Sequence, residues 1–180
     1  DADKELSRAL STGGDATVIV PILAKVLLSL GEFDRLDTLA LDGLDPESRS
    51  VVQAAKGLSM IYRENLVVAA EIMDAALQNE PHSPYAEVAA ARLSMEHAAF
   101  DEARNRLNEV IVKFPEYAPA WNLLGDIESA QRRPKEAEVA YTNVIECSGD
   151  NFSALLNRAL MSIYLGNFQS AQKDLAAIVT

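Results

Sequence analysis

Residues 118–151 read APAWNLLGDIESAQRRPKEAEVAYTNVIECSGDN, and this stretch decides the fold. Apolar side chains recur in it at i, i+3, i+4 and i+7, which places them on one face of a helix. Two helices are expected, Ala118 to Ala130 and Pro134 to Cys147, with Pro134 favoured in the first turn of the second. Within them stand Trp121-x2-Leu124-Gly125 and Ala137-x3-Tyr141.

The pattern returns at an interval of 34 residues, in register and without gaps over four copies. One interval earlier lie Ala103, Leu107, Val110 and Pro115. Two intervals earlier lie Gly57, Ala69, Met73, Ala76 and Pro81, and one interval later Ala159, Ala171, Leu175 and Ile178. Small residues at Gly57, Ala91, Gly125 and Ala159 let the first helix of each pair approach the second. Ala69, Ala103, Ala137 and Ala171 do the same from the other side. Met73, Leu107, Tyr141 and Leu175 fill the space between one pair and the next. Pro81 and Pro115 stop the second helix, because proline cannot continue the hydrogen-bond ladder. One such pair cannot bury its apolar face alone, so the copies are expected to stack.

The period, the Trp-x2-Leu-Gly run and the Ala-x3-Tyr run resemble the tetratricopeptide repeat (TPR), whose unit is a helix–turn–helix of this length. Glu128 departs from the signature, which has Tyr at that position. The resemblance implies an all-α fold, a right-handed solenoid of antiparallel helix pairs forming one array over 1–180. The repeats fall at 17–49, 50–83, 84–117, 118–151 and 152–180. The 17–49 copy needs a one-residue deletion, which aligns Leu30-Gly31-Glu32-Phe33 with Leu165-Gly166-Asn167-Phe168. Residues 1–16 stand where the second helix of a truncated repeat would lie, with Ala2, Leu6 and Ala9 at its core positions. Other helices are expected at Val51 to Arg63, Leu66 to Leu77, Ala86 to Glu96, Phe100 to Phe114, Ser153 to Leu165 and Phe168 to Val179. The best strand candidate is Thr17-Val18-Ile19-Val20, with a helix starting at Pro21.

In the family the first helix of each pair lines the concave face, where peptides or partner proteins bind. Carried over by position, the partner-binding residues here are Tyr62, Tyr85, Arg92, Asn122, Asp126, Ser129 and Tyr164, with Ala54, Leu58, Ile61, Val88, Met95, Leu156 and Leu160 in the same stripe. Positions 85, 88, 92 and 95 share one helical face, as do 122, 126 and 129. Asn122 is the leading candidate, since its amide can pair with a peptide backbone.

A narrower likeness covers the opening of the chain. Glu5-Leu6-Ser7-Arg8-Ala9-Leu10, Val18-Ile19-Val20-Pro21-Ile22-Leu23-Ala24-Lys25 and Leu28-Ser29-Leu30-Gly31-Glu32-Phe33-Asp34 look like long bacterial TPR lipoproteins of exosortase (PEP-CTERM) and exopolysaccharide systems. Trp121 to Asp126 also suits that group. The likeness implies a piece of a longer, envelope-anchored periplasmic protein, and without it a cytoplasmic one. No lipobox lies in these residues.

Composition narrows the function. The 180 residues carry a formal charge of −11, which argues against nucleic acid, whose binders cluster Lys and Arg. One Cys excludes a disulfide framework within the chain. No apolar run reaches the roughly 20 residues of a membrane span, so no direct insertion is expected. His82 and His97 lack metal-ligand spacing. Cys147 has no assignable activating base. Gly13-Gly14 reads as a helix stop with Asp15 as the next cap. Asp101 and Glu102 read as acids suited to a helix N-terminus. Arg132-Arg133-Pro134-Lys135 and Asp34-Arg35-Leu36-Asp37 read as solvated charge.

No catalytic residue, metal or cofactor is therefore expected. The expected function is a non-enzymatic scaffold for a peptide or partner protein, in bacterial envelope sorting or exopolysaccharide export if the lipoprotein likeness applies. The alternative is a spacer within a longer repeat protein. The ends read as cut faces of a longer array, which adds self-association to the expected contacts.

Overall fold

A computed structural model describes residues 2–149 and 151–179. Among the described residues every regular element is an α-helix. The chain divides into two compact units, 1–93 and 94–180.

The first unit holds α1 (Ala2–Ser11), α2 (Ala16–Ser29), α3 (Phe33–Asp37), α4 (Pro46–Tyr62), α5 (Leu66–Asn79) and most of α6 (Pro84–Glu96). The expected strand at residues 17–20 is the first turn of α2 instead. Asp15 caps that helix, accepting the Thr17 N–H at 2.9 Å. Pro21 lies inside α2 and cannot donate to the Thr17 carbonyl four residues back. Ser48 Oγ lies 2.8 Å from Thr17 O and 3.0 Å from Asp45 Oδ2, so its single proton is shared between the bare carbonyl and the capping carboxylate. A tertiary contact thus keeps a β-branched, proline-containing segment helical.

The second helix of the 17–49 segment is short, because α3 ends at Asp37. Lys56 Nζ donates to the carbonyls of Asp37 and Leu39 at 3.0 and 2.8 Å, holding the chain in a loop there. The run 34–37 does more than face solvent. Leu36 is fully buried, Arg35 pairs with the buried Asp3 at 2.7 Å, and Asp34 and Asp37 both bind Arg63. Asp45 caps α4 through the Ser48 N–H, which starts that helix five residues before the expected Val51.

Val20, Leu23, Leu27, Leu36, Leu44 and Val52 form one core cluster of this unit. Ala54, Ala69, Met73, Ala76, Ala86 and Ala89 form another. A Cβ at Gly57 would lie 2.7 Å from Met73 Cε, so Met73, expected to fill the space between one pair and the next, packs on the glycine of its own pair.

The second unit holds the end of α6, then α7 (Phe100–Lys113), α8 (Ala118–Ala130), α9 (Pro134–Ser148), α10 (Phe152–Tyr164) and α11 (Phe168–Val179). Gly125 repeats the Gly57 arrangement, with a Cβ position 2.6 Å from Tyr141 Cε1. Ala103, Leu107, Val110, Ile127, Ala137, Tyr141 and Val144 are buried. The signature tryptophan has a polar role as well, since Trp121 Nε1 donates to Pro115 O at 2.8 Å.

The turn inside each pair carries the period in its backbone. Glu64, Ala98, Arg132 and Gly166, each 34 residues from the next, have positive φ of 58°, 57°, 58° and 79°. At the third of these turns the Arg132 and Arg133 N–H groups reach back to Ser129 O and Glu128 O at 3.0 and 2.8 Å. That closure satisfies carbonyls a helix end would otherwise leave bare.

Candidate functional site

Helix A denotes the first helix of each pair and helix B the second. In the first unit, Tyr62 ends α4 and is 63% exposed. Its ring stacks on Phe33 with centroids 5.8 Å apart, and Arg63 lies over the other partner of that stack, 5.4 Å from the Phe33 centroid. Tyr85 is a packing residue. Its ring lies against both core clusters of the unit, under Lys25 Nζ at 4.7 Å. Burial holds the Lys25 ammonium below its ordinary pKa. Arg92 is half-buried on α6.

In the second unit, Asn122, Asp126 and Ser129 line α8 as half-buried side chains, and Tyr164 ends α10 with 75% of its surface exposed. Asp126 accepts a hydrogen bond from the Tyr141 hydroxyl at 2.9 Å. Burial, and then the Asp126 charge, push the Tyr141 phenol far above its ordinary pKa. That contact ties helix A to helix B, so Asp126 is partly committed to the fold.

Asn122 differs from the others. It opens into a cavity of about 340 Å³ with Ala118, Pro119, Val144, Asn151 and Ser153. No described residue makes a side-chain hydrogen bond with its amide. Asn151 in the same wall caps α10 by accepting the Ala154 N–H at 3.1 Å. A donor and an acceptor on one amide, beside an apolar floor at Val144, suit a peptide group with a side chain following it.

A second cavity of about 390 Å³ lies between α9 and α11, with Arg158 and Ser162 of α10 at its floor. Arg158 binds Asp174 in bidentate fashion, at 2.8 Å from Nε and 2.6 Å from Nη2, and this pairing raises its pKa. Ser162 donates to Glu138 at 2.6 Å. Arg158, Asp174, Thr142, Ser162 and Glu138 are joined by hydrogen bonds along this groove, which makes it a polar seam between helices.

Residue type and spacing alone do not single out Ser153 or the Arg158–Asp174 pair. The available signal was the repeat register, which sets Ser153 opposite Tyr85 and Arg158 opposite Leu124. His82 and His97 are exposed. Among the described residues no group of three or more His, Cys, Asp or Glu side chains is placed to hold a metal ion. Cys147 is half-buried, with Sγ 3.7 Å from Pro115 O, and burial raises its pKa. No helix among the described residues is long and apolar enough to cross a membrane.

Residues 61–127 match the family profile of the tetratricopeptide repeat. Among curated proteins none matches the sequence. Solved structures share the fold at low identity. A MamA RS-1 double mutant is 16% identical with a TM-score of 0.63, the match covering 92% of this chain and 94% of that one. The human IFIT1 dimer with m7Gppp-AAAA is 14% identical, with a TM-score of 0.78 and coverage of 98% and 45%. The Cut9–Hcn1 hetero-tetramer of APC/C is 14% identical, with a TM-score of 0.80 and coverage of 98% and 34%.

Proposed function

We propose that this chain, a tetratricopeptide-repeat protein, is a non-enzymatic interaction module that holds an extended peptide or a partner protein on its helix-A side chains. One observation carries the reading: among the described residues no side chain bonds the Asn122 amide, which lines a cavity together with Val144. A buried or half-buried amide gains from pairing with a peptide group, and the cavity leaves room for the residue that follows. The assembly of Cut9 with Hcn1 supports a protein partner by analogy of fold. The formal charge of −11 favours a neutral or basic peptide over a polyanion such as the m7Gppp-AAAA held by IFIT1.

The test is selection from a random-peptide display library on the immobilised chain, with Asn122→Ala in parallel. Peptides enriched on the parent and lost on the variant support the reading. No enrichment on either leaves the chain as a spacer. The narrower placement in bacterial envelope sorting or exopolysaccharide export rests on the lipoprotein likeness of the opening residues. A signal peptide with a lipobox cysteine in the full-length protein would support it, and a full-length protein lacking both would remove it.

A further inference from the structure

The repeat register allows the Asn122 cavity to be compared with the same place two repeats earlier. An offset of 68 residues maps Gly125 onto Gly57 and Tyr141 onto Met73, and both glycines meet those partners at Cβ distances of 2.6 and 2.7 Å. The same offset maps Asn122 onto Ala54, Val144 onto Ala76 and Ser153 onto Tyr85. Tyr85 is the second residue of α6, as Ser153 is of α10. In the first unit the Tyr85 ring packs against the cluster that contains Ala54 and Ala76. In the second unit that position carries a serine, and Ser153 lines a cavity of about 340 Å³ together with Asn122 and Val144.

We infer that this cavity receives an aromatic side chain of the bound peptide, seated where Tyr85 lies in the earlier repeat. The inference rests on the peptide-binding reading above and names the side chain that reading leaves open. The register supports it, because Ser153 holds the position from which the Tyr85 ring packs against apolar side chains two repeats earlier. Chemistry supports it too. Pro119, Ala118 and Val144 offer apolar surface to the ring, while Asn151, Ser153 and the Asn122 amide offer polar atoms to a hydroxyl or to the peptide group beside it. Aromatic side chains combine large apolar area with a polar edge and suit such mixed walls.

Blocked tripeptides Gly-Tyr-Gly, Gly-Leu-Gly and Gly-Ala-Gly are titrated into the isotopically labelled chain, with amide shifts read by NMR. The tyrosine peptide is expected to shift residues 118–122 and 144–153 and to bind about three- to tenfold more tightly than the leucine peptide. Ser153→Tyr is expected to fold, to raise the melting temperature by filling the cavity from within, and to abolish those shifts. Equal affinity for leucine and tyrosine peptides overturns the aromatic inference and leaves the peptide reading standing. Shifts from none of the three peptides overturn both. Undiminished tyrosine binding by folded Ser153→Tyr also overturns the inference, since the ring would then lie elsewhere.

Discussion

Arg104 Nε on α7 donates to Glu128 Oε1 on α8 at 2.7 Å, and 34 residues further on the same two positions are held by Glu138 and Ser162, joined at 2.6 Å. The contact thus recurs with its chemistry changed. It also explains Glu128, the acid that stands where the repeat signature has tyrosine. That carboxylate is only 5% exposed, and Arg104, Arg133 and the α8–α9 turn enclose it. The hydrogen bond to Glu128 is the leading cause of the raised pKa of Arg104.

Arg104→Ala should leave Glu128 with only the longer Arg133 contact at 3.5 Å. A buried carboxylate so stripped is expected to lower stability by about 3 kcal/mol. Replacing both residues together, Arg104→Met with Glu128→Leu, should be nearly neutral, because burying two charges offsets most of what their attraction returns. Urea unfolding of the two variants measures this. A single-variant loss below about 0.5 kcal/mol would mark the pair as no better than a surface one.

Gly125→Ala places a methyl group 2.6 Å from the Tyr141 ring. The rigid ring must move, at about 1–3 kcal/mol. Gly57→Ala should be milder, since Met73 is flexible and can withdraw its terminal methyl. Adding Tyr141→Leu to Gly125→Ala should recover much of the loss, as position 159 already carries Ala where position 175 carries Leu. Thermal melts of the three variants give the order.

Ser48→Ala removes the hydroxyl that satisfies the Thr17 carbonyl. The expected loss is about 1–2 kcal/mol, the penalty of a carbonyl left without a donor. With Pro21→Ala present, the restored N–H can take that carbonyl, so Ser48→Ala should then matter much less. A double-mutant cycle by chemical denaturation reads the coupling directly. Additive effects would show that the two residues act separately.

Acid should weaken the first unit through its capping and paired carboxylates. Asp15 is lowered chiefly by its hydrogen bond from the Thr17 hydroxyl, Asp45 by the Ser48 N–H and Asp3 by Arg35. Each is lower in the folded state than in the unfolded chain, where the value is about 4. Their stabilisation is therefore complete above that unfolded value and fades as pH falls through the folded one. The stability difference between the parent and Asp45→Ala should be largest near neutral pH and shrink towards about pH 2. A difference that stays constant with pH would remove the carboxylate from the account.

Ala98 holds a φ of 57° at a turn where the corresponding residue of the last repeat is Gly166. A Cβ in that region is disfavoured, so Ala98→Gly should stabilise the protein by about 0.5–1 kcal/mol after the extra freedom of the unfolded chain is subtracted. Calorimetry checks the sign.

Much of the fold is legible in residue order. The spacing of apolar side chains marks α8 at both its ends, and the 34-residue interval identifies the helix pairs, the close glycine contacts and the turn positions. These depend on local periodicity and on residue size, both of which a sequence displays directly. The opening segment was less legible. Thr17-Val18-Ile19-Val20 before a proline carries a strand preference, and the capping Asp15 with the remote Ser48 overrides it. Of the expected contact residues, Asn122 has no side-chain hydrogen bond among the described residues, whereas Tyr85 and Asp126 are engaged within the chain.

Residue order alone specifies the helix pairs from position 50 onward, because those four copies obey one period and place their small residues at the same points. Only the tertiary structure decided where that repetition leaves space and where it closes it. Glu128 is buried because Arg104 reaches it from 24 positions away, and α2 survives its proline because Ser48 reaches back 31 positions. Replacing the ring of Tyr85 by the hydroxyl of Ser153 accompanies a cavity in the corresponding repeat, a consequence that emerges only when the surrounding helices are packed.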